Sequence, residues 1–139
     1  MKERINDKLN QIEQFLDELS QIVPQTIEEY KTDFKSKAAC ERFFEKIIEA
    51  CVDLAFLIIR KKELRMPEDD ESSFIILFHN NIISEELSKK LRAANGMRNI
   101  IVHEYGEIDD SKVFYSIKEE LEKDVNDFII DIRKNLDDK

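Results

Sequence analysis

Arg98 and His103 stand five positions apart in the segment Met97-Arg98-Asn99-Ile100-Ile101-Val102-His103-Glu104-Tyr105. Their side chains are the two best suited to handling a phosphodiester without a metal ion. A guanidinium is permanently cationic and forks onto phosphate oxygens. An imidazole donates or accepts a proton near neutral pH. The chain has only two histidines, so one lying between an arginine and a tyrosine carries weight. The spacing is awkward, because on a continuous helix the two side chains point about 140° apart. Either the helix ends before His103 and the imidazole swings back, or the pair serves a cleft shared with a second subunit. The β-branched Val102 before the histidine and Gly106 after it make an end credible here. There is also a plain structural alternative. A histidine in a last turn suits the negative helix end, Arg98 can pair with Glu104 or Asp109, and Tyr105 can pack in the core.

The elements that must position these residues are helical. Ile5, Leu9, Ile12, Phe15 with Leu16, Leu19 and Ile22 form one amphipathic stripe over about Lys2 to Val23, and Pro24 closes it. Residues 25–36 read as a connector with one short turn near Thr26 to Tyr30. A second helix, about Lys37 to Glu63, is apolar around most of its circumference. Arg42, Glu49, Asp53 and Arg60 fall within about 20° of one line and leave a narrow polar seam on it. This seam is either a solvent-facing strip or the wall of a functional cleft, with Arg42 and Asp53 or Glu49 orienting one another. After a charged loop over residues 61–71, Ser72 or Ser73 caps a short third helix. It ends at Asn80-Asn81, where asparagine tolerates left-handed backbone. Ser84-Glu85-Glu86 opens the fourth helix, which runs into the Arg98 segment. Asp109-Asp110-Ser111 caps the last, with Val113, Ile117, Leu121, Val125, Phe128, Ile132 and Leu136 on its buried face.

Composition agrees with an all-α fold. Two glycines and two prolines among 139 residues leave little turn chemistry for a sheet, and the length suits one domain spanning residues 1–139. We expect an antiparallel bundle of about five helices. No apolar run is long enough for a membrane span and the start lacks a signal-peptide apolar region, so the expected location is the cytoplasm. Cys40 and Cys51, eleven residues apart on one helix, lie about 16 Å from each other, too far to pair within the chain. No Cys/His cluster suggests zinc, and no cofactor or metal is expected. The Glu49 and Asp53 pair, one turn apart, is the one tempting exception.

The net charge of −9 argues against a general grip on nucleic acid, which comes from cations on phosphates. It leaves room for a local basic site, and Arg60-Lys61-Lys62, Arg65 and Lys89-Lys90-Arg92 could supply one. The small residues Ala93-Ala94-Asn95-Gly96 bear on assembly. A glycine inside a helix costs about 1 kcal/mol relative to alanine, and small side chains let helix backbones approach closely. Intrachain packing and a symmetric dimer are both open. The dimer is favoured because the second helix reads as too apolar for the other helices of one chain to bury.

The run from Met97 to Tyr105, followed by Ile108-Asp109-Asp110, resembles the HepT-like family of the HEPN superfamily. So does Cys40-Glu41-Arg42 through Ile47 to Ala55, and so does Ile83-Ser84-Glu85-Glu86-Leu87. The likeness covers roughly residues 37–136 in the right order. It implies an α-helical bundle with a HEPN-like four-helix core, homodimeric, acting as a metal-independent endoribonuclease toxin. By that resemblance Arg98 and His103 are the catalytic pair and Asn99 the polar residue that follows the arginine. Arg42, Glu49 and Asp53 would support them. Tyr105 matches the tyrosine to which a cognate minimal nucleotidyltransferase antitoxin adds AMP. Gly106 and Glu107 depart from the bulkier residues of the family pattern, and the acidity is unusual for a protein that binds RNA. The rival reading is a non-catalytic HEPN module that binds a nucleotide or docks a nucleotidyltransferase.

Overall fold

In the computed structural model, which describes residues 1–103 and 108–136, every regular element is helical. They are α1 (Lys2–Ile22), α2 (Ile27–Thr32), α3 (Phe34–Lys61), α4 (Asp70–His79), α5 (Glu85–His103), α6 (Asp110–Tyr115) and α7 (Glu122–Leu136). A π-helical segment, Ser116–Leu121, joins α6 to α7 into one long rod. No strand occurs among the described residues.

The predicted stripes are the buried faces. Ile5, Leu9, Ile12, Leu16 and Leu19 of α1 are buried, as are all seven residues expected on the last helix. Phe15 is partly buried, and Ile22 is the exception, over a third exposed. Val23 takes extended backbone at φ −66° and ψ 129°, the conformation that a following proline enforces. α1 lies antiparallel on α3: Phe15 stacks edge-on against Phe43 at 6.4 Å, and Lys8 pairs with Asp53 further along at 3.5 Å. α4 and α5 are likewise antiparallel, with Ser88 Oγ donating to the Phe74 carbonyl at one end and Asp70 facing Arg98 at the other. Arg133 of α7 donates two hydrogen bonds to Glu13 of α1, at 3.1 and 2.8 Å, closing the bundle.

Several expectations change. The connector over residues 25–36 contains a true helix, because Thr26 accepts from the Glu29 amide and caps α2. Asp33 then caps α3, which starts at Phe34 rather than near Lys37. α4 is capped by Asp69 rather than by either serine, and Ser72 sits three residues on, where it closes a capping box with Asp69. The apolar girth of α3 is also buried within this one chain, with Phe44, Ile47, Leu54, Ala55, Ile58 and Ile59 wholly inaccessible. A second copy is not needed to cover it.

The π segment answers to a sequence signal. Val113, Ile117, Leu121 and Val125 follow one another at intervals of four. On an ideal helix three such steps drift by about 120°, roughly the angle that one inserted residue restores. The wider turn keeps all four side chains in the core.

Candidate functional site

Arg98 sits four-fifths buried on α5, its side chain only 18% exposed. Among the described residues, three groups face its guanidinium. Glu49 of α3 approaches Nη2 at 3.4 Å, Asp70 in the first turn of α4 stands 4.0 Å from Nη1, and Asn99 accepts from Nη1 at 2.9 Å. Neither carboxylate is at the short distance of a charge-assisted bidentate pair. Nε is buried and has no hydrogen-bond partner among the described residues. The guanidinium is thus held by field and by one neutral acceptor, with part of its donor fork unused. Nε is closed to solvent, so an incoming anion would meet the guanidinium only over the small part of the side chain that is exposed.

The remaining expected residues divide. Glu49 joins Arg98, and Asn99 orients it. Arg42 pairs with Glu45 one turn along its own helix at 3.0 Å, and Asp53 pairs with Lys8 of α1. The seam on α3 is real but serves two neighbours, α5 at Glu49 and α1 at Asp53. Neither Glu49 nor Asp53 is the ion-pair partner of Arg42. The two carboxylates once tempting as metal ligands each face a different cation, and no group of three or more His, Cys, Asp or Glu suited to a metal occurs among the described residues.

His103 is exposed in the last turn of α5, which runs unbroken to that residue. Of the two alternatives, a break before the imidazole does not occur. On this helix Arg98 and His103 diverge by about 140°, with roughly 7.5 Å of rise between them. Arg98 turns inward to α3 and α4. His103 instead shares the outer face with Ala93, Gly96 and Ile100, all exposed, within about 80° of arc. A Cβ built on Gly96 would meet no atom within 4 Å, so no intrachain contact explains that glycine. Tyr105 and Gly106 lie outside the described residues.

Asp70 was not anticipated. It follows the cap Asp69 and reads from sequence as an ordinary first-turn carboxylate. Only the return of the chain from α3 to α4 brings it to Arg98. Asn95, one turn before Arg98 and buried with its Oδ1 unpartnered, was also missed.

The helical bundle that carries these residues is the fold of a ribonuclease family. The chain belongs to the Ribonuclease HepT-like family, whose pattern matches residues 8–132. It is 35% identical to an mRNA nuclease HepT of Shewanella oneidensis over 73% of this chain and 75% of that one. A tRNA nuclease HepT of Aphanizomenon flos-aquae is 27% identical over 96% of this chain and 95% of its own length. Among solved structures, a tri-AMPylated HEPN toxin of Shewanella oneidensis in complex with an MNT antitoxin superposes with a TM-score of 0.90 at 30% identity. That match covers 96% of this chain and 99% of that one.

Proposed function

We propose that this chain is a metal-independent endoribonuclease toxin, acting as a single domain in the cytoplasm under the control of a minimal nucleotidyltransferase antitoxin. The observation that carries the reading is Arg98: largely buried, charged, and bordered by two carboxylates at 3.4 and 4.0 Å, neither close enough to saturate it. RNA supplies its own nucleophile, the 2′-hydroxyl. His103 takes the proton of that hydroxyl as its oxygen attacks phosphorus, and the charge on the resulting phosphorane rests on Arg98. The P–O5′ bond then breaks and the leaving oxygen is protonated, leaving a cyclic phosphate. Chemistry of this kind requires no metal.

Two copies complete the site in this reading. The divergence of Arg98 and His103 on an unbroken helix is the support, together with the exposed face of Ala93, Gly96, Ile100 and His103. A homodimer packed on that face sets each His103 against the other subunit. No helix among the described residues is long and apolar enough to cross a membrane, which is compatible with cytoplasmic work on RNA.

Incubating the purified protein with cellular RNA in excess EDTA tests this directly. Cleavage is expected in the parent and not in Arg98→Ala. Dependence on added magnesium or manganese would overturn the metal-free mechanism. Stable binding of RNA or nucleotide without turnover would favour the non-catalytic module.

A further inference from the structure

The seam on α3 continues past the Arg98 site into a cationic cleft that the proposed chemistry does not use. One turn beyond Glu49, Asp53 pairs with Lys8 of α1, and two turns further Arg60 faces the same cleft together with Arg4. The cleft measures about 470 Å³, and Phe56 and Leu57 form its apolar side. Arg4 and Arg60 are exposed, and neither forms an ion pair among the described residues. In the other direction along the α1–α3 junction, Lys46 Nζ lies 4.4 Å above the Phe15 ring and 4.9 Å above the Phe43 ring. Cations and half-buried aromatic rings therefore follow one another along this junction, in a chain whose net charge is −9.

Single-stranded nucleic acid is held by this combination, in which cations track the backbone and bases stack on aromatic faces. From Glu49 to Arg60 the strip is about 16 Å long. A strand rising about 3.4 Å per nucleotide crosses that in roughly five nucleotides. We propose that the cleft of Arg4, Lys8, Phe56 and Arg60 is an RNA-backbone subsite, continuing a strand whose scissile phosphate lies at Arg98. This rests on the ribonuclease reading and adds where the rest of the strand lies. It also reconciles binding with acidity: the phosphates meet a local row of cations, while the remaining surface repels nonspecific RNA. Asp53 in this row opposes phosphate and restrains Lys8.

The test uses the full-length protein carrying His103→Ala, which prevents turnover, and a fluorescein-labelled oligouridylate of roughly 12 nucleotides. Anisotropy titrations over a range of salt give the affinity and its salt slope. Replacing Arg4, Lys8 and Arg60 together by alanine is expected to weaken binding about tenfold and to flatten the slope by about two. Asp53→Asn is expected to tighten binding, a change of opposite sign that unfolding cannot produce. Unchanged affinity and slope in the triple variant, while the wild-type protein cleaves RNA, would remove the cleft and leave the ribonuclease reading standing. A wild-type protein that neither cleaves RNA nor, as His103→Ala, binds the oligonucleotide would end both. A triple variant that binds RNA normally but loses association with an acidic protein partner would reassign the cleft to that partner.

Discussion

The guanidinium of Arg98 on α5 reaches the carboxylate of Glu49 on α3 at 3.4 Å. Glu49 remains 44% exposed, so the pair stands at the rim of the bundle and not in its centre. An ion pair of this kind contributes little to stability, about 1 kcal/mol or less. Its worth is positional.

Removing the arginine should therefore silence the protein without unfolding it. Arg98→Ala is expected to lower RNA cleavage by about a hundredfold to a thousandfold, as for loss of an oxyanion donor. Arg98→Lys should recover little, because a point charge cannot reproduce the fork. Asn99→Ala, which frees Nη1 of Arg98, should lower kcat more than it raises KM. Initial-rate kinetics alongside helical circular dichroism decide the matter, and normal cleavage by Arg98→Lys would show that charge alone suffices.

His103 is exposed, so His103→Ala should leave the melting temperature essentially unchanged. Cleavage should fall by about 10²–10⁴-fold if the imidazole moves the proton. If each active centre draws its groups from two subunits, mixing Arg98→Ala with His103→Ala protein should restore part of the activity. Mixtures no more active than their separate components would argue against a shared centre.

How much of this was legible beforehand depended on the range of the interaction. The stripe of Ile5, Leu9 and Ile12, the cap at Ser84 and the left-handed Asn81 (φ 61°) are local consequences of residue type, and the sequence displays them. Asn99 beside Arg98 was legible for the same reason. Asp70 was not, because its approach depends on how residues 62–69 return the chain to α5, with Glu63 at a positive φ of 56° inside that return. Nor could periodicity divide the seam. Glu49 and Asp53 lie on one line of α3, and only the placement of α1 and α5 gives one to Arg98 and the other to Lys8.

Gly96 offers a test of assembly. In the isolated chain an added methyl group meets nothing, so Gly96→Ala should stabilise the helix by up to about 1 kcal/mol. If a second copy packs there, the same substitution should weaken self-association and reduce activity even as the single-chain fold becomes firmer. Light scattering and thermal melts over a range of concentration separate the two. A wild-type protein of 16.5 kDa at micromolar concentration would rule out the dimer.

The two cysteines should be chemically silent. Burial pushes the Cys51 thiol up to about 12, and desolvation with the neighbouring Glu41 raises Cys40 to about 11. Both shifts disfavour the thiolate, the reactive form, so reactivity should stay low as pH rises through the ordinary thiol range. Native protein at mildly alkaline pH should resist iodoacetamide, and both residues should label once it is unfolded. Rapid labelling of the native protein would contradict the burial.

Tyr105 is the proposed point of control. It follows His103 by two residues in the sequence. Transfer of AMP to the phenol forms a phosphodiester and releases pyrophosphate from ATP. The new phosphate adds negative charge and an acceptor that can compete with RNA phosphate for Arg98, already bordered by Glu49 and Asp70. The attached base obstructs the approach of RNA. Both effects should inactivate the enzyme while leaving its helical signal intact. Incubation with ATP and a minimal nucleotidyltransferase encoded beside it, followed by peptide mass spectrometry, should place each AMP-sized increment on the peptide containing Tyr105. Tyr105→Phe should remain an active nuclease that the partner cannot silence by modification. Persistent modification and silencing of Tyr105→Phe would remove this residue from the mechanism.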